Sequence, residues 1–169
     1  MRIHSWLLGT LAAVAVLAAP APTLGADLDN QTTLTFATPI EVPGTTLQPG
    51  TYVFETSAGA GGRQTVRIHS GDKSKLITTV EAVSMKRDGP SDVVQYRPTI
   101  LGSAPTALKG WFGGGSTTGY QFVYPEKEAA AIANRTAERV LASASQDGKT
   151  QLVVIDAYGA RSPFVAAGW

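Results

Sequence analysis

The sequence contains no cysteine among its 169 residues. Without thiols the chain forms no disulfide, has no thiolate nucleophile and cannot hold a cysteine-ligated metal. A lipid anchor attached to an N-terminal cysteine is excluded for the same reason. The fold must therefore be stabilised by a hydrophobic core, and a chain of this length is long enough to bury one as a single domain.

Histidine and charged residues are also scarce. There are two histidines, and Asp, Glu, Lys and Arg together make up 16% of the chain. His4 and Arg2 lie in a segment that we expect to be removed, which leaves His69 and equal numbers of basic and acidic residues. A neutral chain argues against a nucleic-acid partner, because such binding requires a basic surface. With a single histidine we predict no metal site, and we predict no cofactor.

The apolar run near the N-terminus is too short to cross a bilayer. Arg2 precedes an apolar run over residues 6–19, and prolines and small residues follow it up to Ala26. This order is typical of a bacterial secretory signal, whereas a membrane-spanning helix needs roughly 20 apolar residues. We predict that residues 1–26 are a signal peptide, cleaved after Gly25 or Ala26. The mature protein would be periplasmic or secreted, with no transmembrane segment.

Residues 27–125 contain short segments in which apolar and polar residues alternate, as they do in strands. The predicted strands cover residues 32–36, 51–56, 65–70, 75–83, 93–96 and 120–124. Turn residues separate them, for example Pro49-Gly50 and Gly71-Asp72. Between the last two strands, residues 106–109 are interpreted as one helical turn. The fold class is therefore predicted as all-β, an antiparallel β-sandwich or small barrel followed by one C-terminal α-helix.

The pattern changes at Pro125. Proline suits the first turn of a helix, and Glu126 and Glu128 would lie where the helix dipole favours negative charge. An alanine-rich run follows, so we predict a helix over residues 126–145. Residues 146–169 are predicted as a strand, over 151–155, and a tail for which the sequence indicates no partner.

Three segments resemble a group of uncharacterised secreted bacterial proteins. They are residues 40–54, with a Leu-x-Pro-Gly-Thr-Tyr turn, residues 107–112, which end in Trp-Phe, and residues 119–125, which end in Phe-Val-Tyr-Pro. The resemblance covers residues 31–128, although Gln48 interrupts the usual Leu-Pro step and 113–116 replace a proline-containing loop. It implies a secreted β-domain and transfers no catalytic residue.

Four aromatic residues form the candidate ligand-binding site. Trp111, Phe112, Tyr120 and Tyr124 lie beside a glycine-rich loop. Aromatic rings on a β-surface stack on sugars or apolar ligands, and the same rings facing inward would fill the core. The sequence leaves both interpretations open.

Catalytic groupings are weak in this sequence, so we predict no catalytic residue. His69 lies on the polar side of a predicted strand and is interpreted as a surface residue. Glu41, Glu55 and Glu81 could converge as the paired carboxylates of a glycoside hydrolase, but no spacing distinguishes them from exposed strand residues.

These observations predict an exported, non-catalytic binding or structural module of the cell envelope. Its expected partner is a glycan or another envelope component. One alternative is a secreted hydrolase acting on polysaccharide. The other is a small outer-membrane β-barrel, suggested by the aromatic C-terminus at Trp169, although most predicted strands are shorter than the 9 to 11 residues such strands need.

Overall fold

The computed structural model describes residues 26–27, 31–88, 94–112 and 116–165. The predicted signal peptide falls outside these residues, apart from the backbone of Ala26. Residues 113–115 of the glycine-rich loop and the last four residues, 166–169, also lie outside them.

Thirteen strands and one α-helix make up the described part of the chain. The strands are β1 (Ala26–Asp27), β2 (Gln31–Phe36), β3 (Ile40–Val42), β4 (Thr45–Leu47), β5 (Gly50–Ala58), β6 (Arg63–Ser70), β7 (Leu76–Lys86), β8 (Val94–Arg97), β9 (Thr106–Phe112), β10 (Thr118–Pro125), β11 (Val140–Gln146), β12 (Lys149–Ile155) and β13 (Arg161–Pro163). The helix α1 is Glu126–Thr136, and a 3-10 turn lies at Ala60–Gly62.

The strands form one open, mixed sheet in the order β1-β2-β5-β6-β7-β10-β11-β12-β13. β9 also pairs with β10, and β3 and β8 each pair with β9. The prediction of an all-β fold with one helix after the main body is confirmed. The sheet is not wholly antiparallel, because β3 runs parallel to β9 and β10 parallel to β11.

The inner face of the sheet carries an aromatic core. Phe54, Trp111 and Phe122 come from β5, β9 and β10, and all three are buried. The Phe54 ring meets the Trp111 ring edge-on at a centroid distance of 5.3 Å, and Phe122 lies 5.4 Å from Trp111. Such tilted contacts are favoured by aromatic quadrupoles. All three rings therefore lie on one side of the sheet, in one core cluster.

Two glycines allow β9 and β10 to approach closely. A Cβ atom at Gly110 would lie 2.1 Å from the Tyr120 carbonyl oxygen, and one at Gly119 would lie 2.4 Å from that of Trp111. Only glycine fits at either position. This close approach explains glycine inside segments that otherwise favour strands.

The helix is shorter than predicted. It begins at Glu126 as expected but ends at Thr136, where Ala137 adopts a left-handed conformation with φ 57°, so the predicted end at residue 145 is wrong. Residues beyond it form β11, because Val140 packs into the inner core while the next residue, Leu141, packs on the outer face. Burial on opposite faces by successive residues is possible in a strand and not in a helix.

The helix connects two parallel strands. β10 and β11 pair over Tyr124 with Ala142 and Pro125 with Ser143. Parallel neighbours cannot be joined by a hairpin, so the chain crosses over through α1. The helix buries Ala129, Ile132 and Ala133 against the inner core. Small side chains let the helix axis lie close to the sheet.

The last strands belong to the sheet. β12 pairs with β11 through an Asp147-Gly148 turn, and β13 pairs with β12 up to Pro163, so most of the predicted tail is paired. Leu141 and Val154 contact Val83 and Val123 on the outer face of the sheet, and Leu152 and Phe164 pack against them. The sheet therefore has a second, smaller apolar cluster opposite the aromatic core.

Residues 106–109 are strand and not a helical turn. They open β9, and Lys109 is an extra residue in it, because Gly110 faces Gln95 while Leu108 faces Tyr96. In the part of the chain that the structure describes, no helix is long and apolar enough to span a bilayer.

Candidate functional site

The four aromatic residues predicted to bind a ligand lie mainly in the interior. Trp111 and Phe112 are 1% exposed and Tyr124 is fully buried. Tyr120 is half-buried, and its ring lies 5.1 Å from that of Trp111. Three of the four rings are therefore buried and present no exposed stacking surface. The inward-facing interpretation describes them.

The hydroxyl group of Tyr124 ties three strands together. It donates to the Leu108 carbonyl of β9 at 2.7 Å, and the Glu41 carbonyl of β3 lies 3.1 Å from the same oxygen. Burial raises the pKa of Tyr124 strongly, so the phenol stays protonated and remains a hydrogen-bond donor. Its role is structural.

The three glutamates considered for glycoside hydrolysis are all ion-paired. Each pairs with a different arginine: Glu41 with Arg135, Glu55 with Arg67 at 3.0 Å, and Glu81 with Arg63 at 2.9 Å. Glu55 and Glu81 lie on β5 and β7, which are separated by β6.

Glu41 lies in a small polar network beside α1. Burial raises the pKa of Glu41, and the adjacent Arg135 guanidinium partly offsets that effect. Glu128 of α1 raises the Glu41 pKa further and accepts the Gly44 N–H at 2.9 Å. These contacts attach the β3–β4 hairpin to the helix.

His69 is half-buried on β6, with Nε2 3.7 Å from the Glu55 carboxylate. Within residues 26–27, 31–88, 94–112 and 116–165, no group of three or more His, Cys, Asp or Glu residues has the arrangement of a metal site.

An open groove lies on the outer side of the molecule, between the β5–β6 turn and the last three strands. Its volume is about 530 Å3. We name it the Arg63 groove, and it is lined by Gly61, Arg63, Gln146, Gln151, Leu152, Val153, Arg161, Ser162, Pro163 and Phe164. A second depression of about 340 Å3 shares Gly61 and Arg63 with it.

The β5–β6 turn places Arg63 in this groove. Gly61 and Gly62 have φ of 65° and 77°, values that favour glycine. Arg63 follows them as the first residue of β6. The Arg63 guanidinium pairs with Glu81 of β7 and also donates to the Thr150 carbonyl of β12 at 3.5 Å. Arg63 therefore bridges the main sheet and the C-terminal strands.

The two arginines of the groove are both paired with carboxylates. Arg63 pairs with Glu81, and Arg161 pairs with Glu126 of α1. Together the two pairs carry no net charge. Gln146 and Gln151, whose side-chain amides can both donate and accept hydrogen bonds, also line the groove, and Leu152 and Phe164 pack against the outer cluster. Such a lining suits a neutral, polyhydroxylated ligand.

No pattern in the sequence indicates this groove. Its residues come from two segments about ninety positions apart, 61–63 and 146–164. The nearest signal is the Asp147-Gly148 pair, a strong hairpin pattern, which would have placed two strands where a helix end was predicted.

Comparison with protein-family models finds no matching family, and comparisons with curated proteins and with solved structures find no match.

Proposed function

We propose that the protein is an exported, non-catalytic binding module of the bacterial cell envelope that holds a neutral glycan segment in the Arg63 groove. The groove carries the proposal: a volume of about 530 Å3 lies within the range of about 300 to 1,000 Å3 that ligand sites occupy. The groove is open to solvent, which suits a segment of a polymer better than a small metabolite.

The lining matches sugar chemistry. Hydroxyl groups are both donors and acceptors, so they need partners of both kinds, and the Gln146 and Gln151 amides supply both. The Arg63–Glu81 pair adds fixed donors and acceptors without a net charge that would select an ion. Leu152 and Phe164 offer an apolar face of the kind on which a sugar ring packs.

A binding role is also consistent with the ion pairs of the three carboxylates. Glu41, Glu55 and Glu81 are each engaged by a separate arginine. Export is supported by the signal pattern of residues 1–26.

Calorimetric titration with neutral tetrasaccharides tests the proposal. The probes are β-1,4-linked N-acetylglucosamine, glucose and α-1,4-linked glucose tetramers, with a galacturonate tetramer as the anionic comparison. We expect one neutral probe to bind and Gln151→Ala to weaken it about tenfold, the loss of roughly one or two hydrogen bonds.

The matched control is Gln48→Ala, because Gln48 is an equally exposed glutamine in the β4–β5 turn, away from the groove. It should leave affinity unchanged. Tighter binding of the galacturonate tetramer, or equal affinities of wild type and Gln151→Ala, would contradict the proposal. Appearance of cleaved products would favour a hydrolase instead.

A further inference from the structure

Two adjacent aliphatic side chains project from the loop between β8 and β9, residues 98–105, which we name the Ile100 loop. Ile100 and Leu101 are 61% and 59% exposed, and residues 102–104 after them are exposed as well. No charged residue occurs from 98 to 108. Single exposed apolar side chains are common on protein surfaces, whereas contiguous ones mark interaction sites. The loop therefore presents an uncharged, apolar tip to solvent.

The Ile100 loop is held in place by the last turn of α1. The backbone N–H groups of Ile100 and Leu101 both donate to the Arg135 carbonyl, at 2.9 and 3.1 Å. Arg135 Nε donates to the Thr99 hydroxyl at 3.3 Å, and that hydroxyl donates to the Pro105 carbonyl at 3.4 Å. These bonds fix the tip in its exposed position. They also satisfy both N–H groups of the aliphatic pair, so the tip can leave water without stranding these donors.

A second loop with an exposed ring meets the same turn of α1. Tyr158 is 96% exposed and lies in the turn between β12 and β13. The Asp156 carboxylate accepts the Tyr158 N–H at 2.9 Å, which orders this turn. Asn134, the neighbour of Arg135 in α1, donates to the Ala157 carbonyl at 3.4 Å. The C-terminal end of the helix is thus flanked by two ordered loops that hold large side chains in solvent.

We propose that the Ile100 loop is a lipid-docking site, which inserts Ile100 and Leu101 into the interfacial region of a bilayer with Tyr158 at the level of the headgroups. Tyrosine is enriched at that level because its ring is amphipathic. Protein–protein interfaces carry about one hydrogen bond per 100–200 Å2, whereas insertion among lipid chains needs none from the side chains. Within residues 100–104 only the Ser103 side chain can form one, so the tip suits lipid better than a protein partner.

Attachment through this loop is peripheral and reversible. Two aliphatic side chains bury far less apolar area than the roughly 20 residues of a membrane-spanning helix. The loop carries no charge, so its attachment depends on apolar burial and not on attraction to anionic headgroups. The lipid-docking site is separate from the Arg63 groove and does not depend on the proposed glycan binding.

A fluorophore on the loop tests the proposal. The chain has no cysteine, so Ser103→Cys supplies the only thiol for an environment-sensitive nitrobenzoxadiazole label. Vesicles of phosphatidylethanolamine with a minor share of phosphatidylglycerol are titrated into the labelled full chain. We expect a blue shift of the emission that saturates with lipid, at low and at high salt alike. The same label on Ser74→Cys, in the exposed β6–β7 turn, should show no shift.

Replacing the apolar tip gives the second measurement. Ile100→Ser and Leu101→Ser are combined, and both side chains are exposed, so the core is left intact. Vesicle affinity, read from the label at residue 103, should weaken by at least about tenfold. Leu76→Ser is the matched control, because Leu76 is a 49% exposed leucine on β7, and its affinity should equal that of wild type. All these chains keep the same N-terminal segment, so a difference between them reports the loop.

Unchanged emission at residue 103, or equal vesicle affinities of wild type and the double variant, would overturn the proposal. Loss of binding at high salt would overturn it as well, because charged groups elsewhere would then make the contact. A shift that follows protein concentration without vesicles would assign the tip to an interface between two copies of the chain, against the lipid assignment.

Discussion

The two faces of the sheet around β6, β7 and β10 differ in how their side chains are used. The inner face is dry and aromatic, with Phe54, Trp111 and Phe122 in mutual contact. The outer face combines a small apolar cluster with ion-paired arginines and the open Arg63 groove. The aromatic residues that resemble a binding surface in the sequence serve stability, while the groove that can receive a ligand combines glutamines and paired arginines with apolar residues.

The largest expected effect is at Trp111. Trp111→Ala removes a buried ring and should lower the free energy of unfolding by about 3–5 kcal/mol, because the surrounding core cannot fully collapse. Urea denaturation measures it. Tyr158→Ala is the control, since Tyr158 is 96% exposed and its loss should cost less than about 0.5 kcal/mol. Similar costs for the two variants would show that the buried aromatic core does not dominate the stability of the fold.

A smaller effect is expected from the Tyr124 hydroxyl group. Tyr124→Phe keeps the ring and leaves buried carbonyl groups without their donor, so unfolding should become easier by about 1–3 kcal/mol. Tyr52→Phe removes an exposed hydroxyl bond to the Gln48 carbonyl and should cost less. Thermal and urea denaturation of both variants compare the two. An equal loss of unfolding free energy in both variants would show that burying the hydrogen bond does not increase its contribution to stability.

The smallest effect is expected in the exposed β6–β7 turn. Hydrogen bonds from the Ser70 hydroxyl, and then from the Ser74 backbone and hydroxyl, lower the pKa of Asp72 from 3.8 to about 2. Since the folded-state pKa is depressed, the stabilisation is present above pH 4 and is lost as the pH falls towards 2. Carbon-13 titration of the carboxyl group should give a midpoint of about 2. In Ser70→Ala the midpoint should move towards 3.8, and an unchanged midpoint would contradict this account.

Sequence patterns predicted most of the main sheet because its strands alternate cleanly. The predicted segments lie largely within β2, β5, β6, β7, β8, β10 and β12. The exposed or buried state of the aromatic residues could not be read from the pattern, because alternation shows that Tyr120, Phe122 and Tyr124 share a face but not what covers that face. What covers that face depends on the pairing of strands that are distant in the sequence.

Other features escaped prediction for physical reasons. The alanine-rich segment favours a helix throughout, and the burial of Val140 and Leu141 on opposite faces overrides that preference beyond Thr136. β3 and β4 are three residues each, too short for a period to emerge. Arg97 gives no signal at all in the sequence, because its burial depends on residues from β9 and on the segment after α1.

The crossover through α1 has a consequence for the order of folding. β11 and β12 are joined by a two-residue turn, and such hairpins close within about 1–10 μs. Alignment of β11 beside β10 requires that the intervening helix be formed and placed, which is slower because it closes a larger loop. We therefore expect the C-terminal hairpin to form early as a local unit and to join the sheet late. Since Arg63 contacts β12, the groove would be completed only at that last step.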